Sequence, residues 1–207
     1  MANGLNVIVD VSHHNGDVDF AGLKDAGILG VIHKATQGTG NVDPTYASHR
    51  AAATDAGLLW GAYHFGVECD GVAQAEHFLQ TVGDLDGVLL ALDFEPNLTG
   101  PSMSLEEARA FVTHVREQTG RVPGFYSGHY IKELLGTNTD PVLGACWFWL
   151  AQYGPTPVVP VNWPTWRLWQ YTDGAVGPDP KLVGTVGRFD RDLFNGSADE
   201  LQAFWGQ

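Results

Sequence analysis

Cysteine is nearly absent: Cys69 and Cys146 are the only two in 207 residues. They stand far apart and outside any CxxC spacing, so neither a disulfide framework nor a Cys-rich metal centre is implied, and buried free thiols are expected. Positive charge is also scarce, with 11 Lys and Arg against 24 Asp and Glu for a formal net charge of -13. Such a chain repels phosphate backbones and anionic lipid, which removes the driving force for nucleic-acid or membrane-surface binding. No apolar run reaches the roughly 18 residues of a membrane span. The opening "MANGLNVIVD" has neither a basic n-region nor a long apolar h-region, so no signal peptide is expected. HxH, HExxH, GxSxG and the two glycine-rich phosphate loops are missing as well. Metal, serine-hydrolase and nucleotide chemistry therefore lack a foothold, and neither a metal nor a cofactor is expected.

What is present is a chain of 44% hydrophobic and 17% charged residues, suited to one compact domain over 1–207, and a monomer is expected. Apolar runs alternate with helical patterns: "NVIVDVSH", "LGVIHKAT", "LLWGAYHFG", "GVLLALDFE" and "VPGFYSGHY" read as strands. Between them, "DFAGLKDAG", "DPTYASHRAAATDAG", "GVAQAEHFLQTVG" and "SLEEARAFVTHVREQTG" read as helices. Asp43 is expected to cap a helix opening at Pro44. Ser104 with Glu107 and Ser197 with Glu200 read as capping boxes, and Gly57 and Gly120 as helix ends. Beyond residue 140 the strands "CWFWLAQY", "RLWQYT" and "GRFDRDLFN" follow with little room for helices, and "SADELQAFW" closes the chain as a helix. The expected fold is α/β, a TIM-like barrel of eight strands with fewer than eight helices.

In such a barrel reactive groups gather at the C-terminal strand ends. Asp10 ends one strand, Asp93 and Glu95 end another, and Asp190 lies in the last strand-like segment. Asp93 and Glu95 share a side of their strand, with α-carbons roughly 6.6 Å apart. Two acids that close cannot both ionise freely, so one is expected to keep its proton near neutrality. A proton donor beside an anion is the apparatus of glycoside hydrolysis. A lone DxE is more often a loop cap or the partner of a lysine. Its place at the end of an apolar run, with Asp10 similarly placed, favours chemistry.

The segments "DVSHHNG", "KATQG", "GAYHF", "LDFEPN", "FWLAQYG", "LWQYT" and "FDRDLFNGS" together resemble glycoside hydrolase family 25, the Chalaropsis-type lysozymes, in the family's order and over almost the whole chain. The resemblance implies a flattened β/α barrel that cleaves the β-1,4 bond between N-acetylmuramic acid and N-acetylglucosamine of peptidoglycan with net retention. Glu95 matches the general acid, Asp93 the other acid of the DxE, and Asp10 and Asp190 the remaining cleft carboxylates. The retaining route is read as substrate-assisted, with Asp93 orienting the acetamido group, Tyr63 or Tyr126 hydrogen-bonding it and Glu95 acting first as acid and then as base. Gln37, His14 and Pro96 depart from the family's usual residues; Gln37 removes a charge and His14 a stacking surface.

Further substrate contacts are expected from Trp149 and Trp169 as a stacking floor, from Gln152 and Gln170 to sugar hydroxyls, and from Lys34 beside a cleft acid. Packing serves the two tryptophans about equally well, and His64 is expected to be a hydrogen-bonded core histidine. His13 and His14, read as strand neighbours facing opposite ways, make a poor chelating pair. Peptidoglycan is the expected partner. An unexported lysozyme suggests a phage endolysin, with a trimmed secreted enzyme as the other route to the wall. A carbohydrate-binding barrel that does not cut, and a metal-dependent hydrolase on the same fold, are the competing readings.

Overall fold

The computed structural model describes residues 4–205. Strands β1 (Leu5–Val11), β2 (Gly30–Gln37), β4 (Leu59–Phe65), β5 (Val88–Asp93), β6 (Gly124–Ser127), β7 (Trp147–Ala151) and β8 (Leu168–Thr172) form a parallel series, with β1 pairing β2 and each later strand pairing the one before it. β11 (Asp190–Phe194) runs antiparallel to both β8 and β1 and closes the ring at eight strands. The two-residue β3 (Asn41–Val42) hangs on the end of β2, and β9 (Leu182–Val183) pairs with β10 (Gly187–Arg188) in a separate ribbon.

Six α-helices lie among the described residues: α1 (Phe20–Asp25), α2 (Tyr46–Asp55), α3 (Gly71–Val82), α4 (Leu105–Thr119), α5 (His129–Leu135) and α6 (Ala198–Trp205). The Ser104/Glu107 box forms on α4, and Gly120 ends that helix at φ 70, a left-handed turn that costs glycine little. Ser197 and Glu200 exchange the same reciprocal bonds at α6. Three expectations are corrected. α2 starts at Tyr46 with Thr45 before it, because the Asp43 carboxylate is taken up by the Thr45 amide and hydroxyl and by the His13 amide. "VPGFYSGHY" splits after Ser127, where α5 takes over His129 and Tyr130. Both cysteines are free, but only Cys146 is buried; Cys69 is partly exposed.

Strand alternation divides the apolar residues into two cores. One lies between the barrel wall and its helices and includes Val9, Val31, Leu90, Leu92, Phe148 and Trp169. The other fills the barrel itself with Ile8, Ile32, Leu89, Ala91, Leu168 and Phe194, plugged from α6 by Leu201, Phe204 and Trp205. Trp205 seats against Gly30, where an added Cβ would come within 2.7 Å of the indole ring, and its Nε1 donates to the Trp60 carbonyl at 2.8 Å. Each such ring withdrawn from water contributes about 1.5–3 kcal/mol. The plug seals the lower end of the barrel with apolar surface, and the same inward-facing rows turn polar at the other end.

Candidate active site

Following the inward rows upward gives the site. On β1, Ile8 is followed two residues later by Asp10; on β5, Leu89 and Ala91 by Asp93; on β8, Leu168 by Gln170; and β6 and β7 contribute Tyr126 and Trp149. Because β11 runs the other way, its first residue lies at this mouth, and Asp190 stands directly opposite Asp10 in the ladder. Asp10, Asp93, Glu95 and Asp190 therefore line one hollow of about 180 Å³ with Tyr63, Tyr126, Trp149, Tyr153 and Gln170. Larger hollows, about 450 Å³ beside the α6 plug and about 500 Å³ between α3 and α4, bring no group of carboxylates together.

The backbone that carries the DxE pair is fixed beyond the end of β5. The Phe94 amide donates to the Tyr126 carbonyl at 2.9 Å, the Ser127 hydroxyl donates to the Phe94 carbonyl at 2.7 Å, and the Phe94 ring, fully buried, stacks on Tyr130 and packs against Phe125. Asp93 thus enters the barrel while Glu95 stays half-buried at its lip. One Asp93 oxygen, Oδ1, is buried without a partner among the described residues. An acceptor left open in this way is ready for a donor on a ligand.

Gln170 organises the opposite wall. Its amide nitrogen donates to Asp10 Oδ2 at 2.8 Å and to Asp190 Oδ2 at 3.3 Å, while its carbonyl oxygen accepts from the Tyr126 hydroxyl at 2.8 Å and from the Tyr153 hydroxyl at 3.1 Å. With both ends occupied, Gln170 braces two acids and two tyrosines and has no free group for a sugar hydroxyl. Trp169 is turned away from the hollow altogether. As the strand neighbour of inward-facing Gln170 it points into the outer core, where its Nε1 donates to the Gln152 carbonyl at 2.7 Å. Trp149 does line the hollow, but it is 2% exposed and its Nε1 is bound to Asp192 Oδ1 at 2.6 Å, so it offers no open face for stacking. Six of the seven tryptophans are buried in this chain, where they serve packing.

Gln152 lies on the loop after β7, in an adjoining hollow of about 280 Å³ that shares Glu95, Tyr126 and Tyr153 with the first. Its side chain accepts from Lys132 Nζ at 3.1 Å and donates to the Thr156 carbonyl at 2.7 Å. Lys34 Nζ donates to Gln37 Oε1 at 2.7 Å and lies over the Phe65 ring. A neutral glutamine at 37 holds the lysine without cancelling its charge, which acts on Asp93 and Glu95 instead. His64 is fully buried between Thr36 Oγ1 at 2.7 Å and Gln74 Oε1 at 3.1 Å, a core histidine. His13 and His14 belong to a one-turn 3-10 helix, not a strand; their rings lie 3.9 Å apart and His13 Nδ1 is bound to Asp43, so the opposite-faces argument does not apply to them.

Two residues of the site escaped the sequence reading. Tyr153 lay within the quoted "FWLAQYG". Asp192 lay within "FDRDLF", two residues after Asp190 and so on the same face of the strand, which is the signal that finds it. Asp192 is fully buried beneath the mouth.

Burial is the main reason the acids here hold their protons. It pushes Asp10 and Asp93 well above the ordinary carboxylate range, Asp10 further raised by Asp192 and Asp93 by Glu95, with the Lys34 charge pulling Asp93 back. Burial also raises Glu95, again opposed by Lys34, and brings Asp190 to about 8 and Asp192 to about 7. Tyr63 and Tyr126 are raised by burial and by the surrounding carboxylates, so both remain neutral phenols.

These directions give the ligand-free protein a characteristic stability profile. An acid whose folded value is raised stabilises the fold below its unfolded value and loses that contribution as pH rises through the folded one. Burial depresses His33 to about 4 and His64 to about 3, so they act in the opposite sense, and stability from them grows with pH until the unfolded imidazole has titrated near 6.5. The two effects oppose each other up to about pH 6.5. Above it only the acids remain. Unfolding stability is expected to fall between pH 6.5 and 8, by about 2 kcal/mol for each proton retained across that range, at about 1.4 kcal/mol per proton per pH unit. Denaturant melts across that range check this, and a flat or rising profile would contradict the protonation pattern.

The family model for Glycosyl hydrolases family 25 matches residues 9–179. This chain belongs to that family. The hydrolase is 33% identical to Lysozyme M1 of Streptomyces globisporus over 213 residues, covering 94% of this chain and 69% of the relative. It is 32% identical to the N,O-diacetylmuramidase of a Chalaropsis species over 217 residues, covering 93% and 95%. Among solved structures, the bacterial lysozyme of Streptomyces coelicolor matches with a TM-score of 0.84 at 31% identity, over 100% of this chain and 99% of that one. The eight-stranded closed barrel is the fold of these relatives, and the enzyme is a glycoside hydrolase.

Proposed function

We propose that this enzyme is an N-acetylmuramidase that cuts the β-1,4 bond between N-acetylmuramic acid and N-acetylglucosamine in bacterial peptidoglycan with net retention, the whole chain acting as one catalytic domain. The observation that carries this reading is the hollow of about 180 Å³ in which Glu95, on the lip, meets Asp93, whose Oδ1 is an open buried acceptor. Glu95 protonates the leaving oxygen, a task suited to a carboxyl that burial has raised. Asp93 acts in its ionised form, favoured over the buried acid by the Lys34 charge and by the acetamido N–H of the sugar that it accepts at Oδ1; it aims the acetamido oxygen at the anomeric carbon and stabilises the positive charge gained on attack. Tyr63 supplies the second contact to that group. It is the better candidate of the two tyrosines, since the Tyr126 proton is committed to Gln170. Glu95, now ionised, takes the proton from the water that opens the cyclic intermediate.

The names lysozyme and N,O-diacetylmuramidase borne by the relatives support the same substrate. The place of action is then the bacterial wall, reached by release from a lysed host or by secretion. Digestion of a defined peptidoglycan followed by mass spectrometry tests the reading. Muropeptides with N-acetylmuramic acid at the new reducing end are expected. New ends on N-acetylglucosamine would assign a different bond, and wall binding with no new ends would make the barrel a lectin.

A further inference from the structure

Asp192 has no role in the chemistry above, yet its surroundings are more constrained than those of any acid at the mouth. It is fully buried on β11, its Oδ1 accepts from Trp149 Nε1 at 2.6 Å, and its Oδ2 is buried with no donor from any described residue. The neighbour within hydrogen-bonding reach is the Asp10 carboxyl, whose Oδ2 already accepts from Gln170. Two ionised carboxylates cannot hold that contact, because their oxygens repel and a buried carboxylate with a single donor is costly. One proton between them satisfies the orphaned oxygen and removes one charge from the barrel.

We propose that Asp192 is a positioning residue that shares a proton with Asp10, so that Asp10 meets the sugar as a fixed, uncharged group and Glu95 faces one anion fewer. The indole N–H makes Asp192 the better-supported anion, so the proton resides on Asp10 and is donated to Asp192. Both groups also feel the rest of the mouth. Asp190 on β11 faces Asp10, Asp93 and Glu95 lie across the hollow at the end of β5, and Tyr63, Tyr126 and Tyr153 stand as neutral phenols on β4, β6 and the loop after β7. Lys34 on β2 is the cation of the set, and it acts on Asp93 and Glu95. The arrangement rests on the reading that Glu95 is the general acid, but the proton itself is observable without turnover.

Asp192→Asn places an N–H where Asp192 accepted, so Asp10 loses the acceptor for its proton and its ionised form is favoured. NMR titration of the intact chain, with isotope-labelled aspartate carboxyl carbons, is expected to show Asp10 protonated into the neutral range in the wild type and titrating at lower pH in the variant, where burial still raises it but Asp192 no longer does. The pair's single negative charge then sits on Asp10, which feels Glu95, instead of on Asp192, so Glu95 loses its proton less readily and the alkaline limb of kcat/KM moves up by about half a pH unit. If Asp192→Asn does not fold, Trp149→Phe provides the opposite displacement: stripped of its indole donor, Asp192 binds the shared proton harder and its titration moves up. Asp10 titrating identically in the wild type and in the folded variant would overturn the proposal, as would a wild-type Asp10 ionised throughout. A shared proton in a chain that leaves peptidoglycan uncut would overturn the muramidase reading and leave the pair standing. A purely structural Asp192 would change melting temperature and shift neither the titration nor the limb.

Discussion

Glu95→Gln is expected to lower the release of reducing ends from purified peptidoglycan by roughly 10²–10⁴-fold, the range supplied by a positioned proton donor. Glutamine keeps the size of the side chain and its place on the lip, so wall binding and melting temperature are expected to stay close to wild type. The loss arises because the leaving sugar oxygen would depart as an alkoxide, with nothing else at the lip placed to protonate it. Asp93 lies deeper, bound into the barrel row below Glu95, and Asp190 is across the mouth, held by Gln170. Near wild-type lysis by Glu95→Gln would remove the assignment of the acid.

Asp93→Asn should reduce kcat by roughly 10²–10³-fold, the usual cost of deleting one preorganised group facing transition-state charge. Its Oδ1 is the open buried acceptor, and an amide placed there either turns a donor toward the acetamido N–H or presents a neutral oxygen that stabilises the developing positive charge less. The effect is expected in kcat more than in KM, because the charge develops only on the way to the transition state. Wall fragments whose 2-acetamido group has been removed should be poor substrates for the wild type for the same reason. A glycosyl ester trapped on Asp93, detected as a mass increase on its peptide, would replace the substrate-assisted route with a covalent one.

Much of this site was legible in the chain. Apolar alternation ending in "ALDFE" placed two acids at a strand mouth, and the capping boxes at Ser104 and Ser197 formed as their spacing implied. Other features were hidden because local pattern carries no partner. Gln170 and Trp169 are adjacent, and both looked fit for sugar; strand alternation puts one inside the barrel and the other outside, and only the inward row decides which. The duty of the inward residue was hidden as well, since nothing in "LWQYT" says that side chains from three other strands and from the loop after β7 will take up both ends of the Gln170 amide. Trp149 was suited to stacking until Asp192 claimed its N–H and the core closed over its faces. Asp43 looked like a helix cap until His13, thirty residues away, turned out to share it.

By itself the sequence determined that strands and helices alternate and that carboxylates stand at the ends of apolar strands. Those are properties of neighbours along the chain, set by side-chain period and capping. Tertiary structure alone decided that β11 enters reversed, so that Asp190 arrives at the mouth from the start of its strand, and that Asp192 is buried against Asp10. Closing a ring brings together residues some 180 positions apart, and whether a buried carboxyl keeps its proton depends on what the ring places against it.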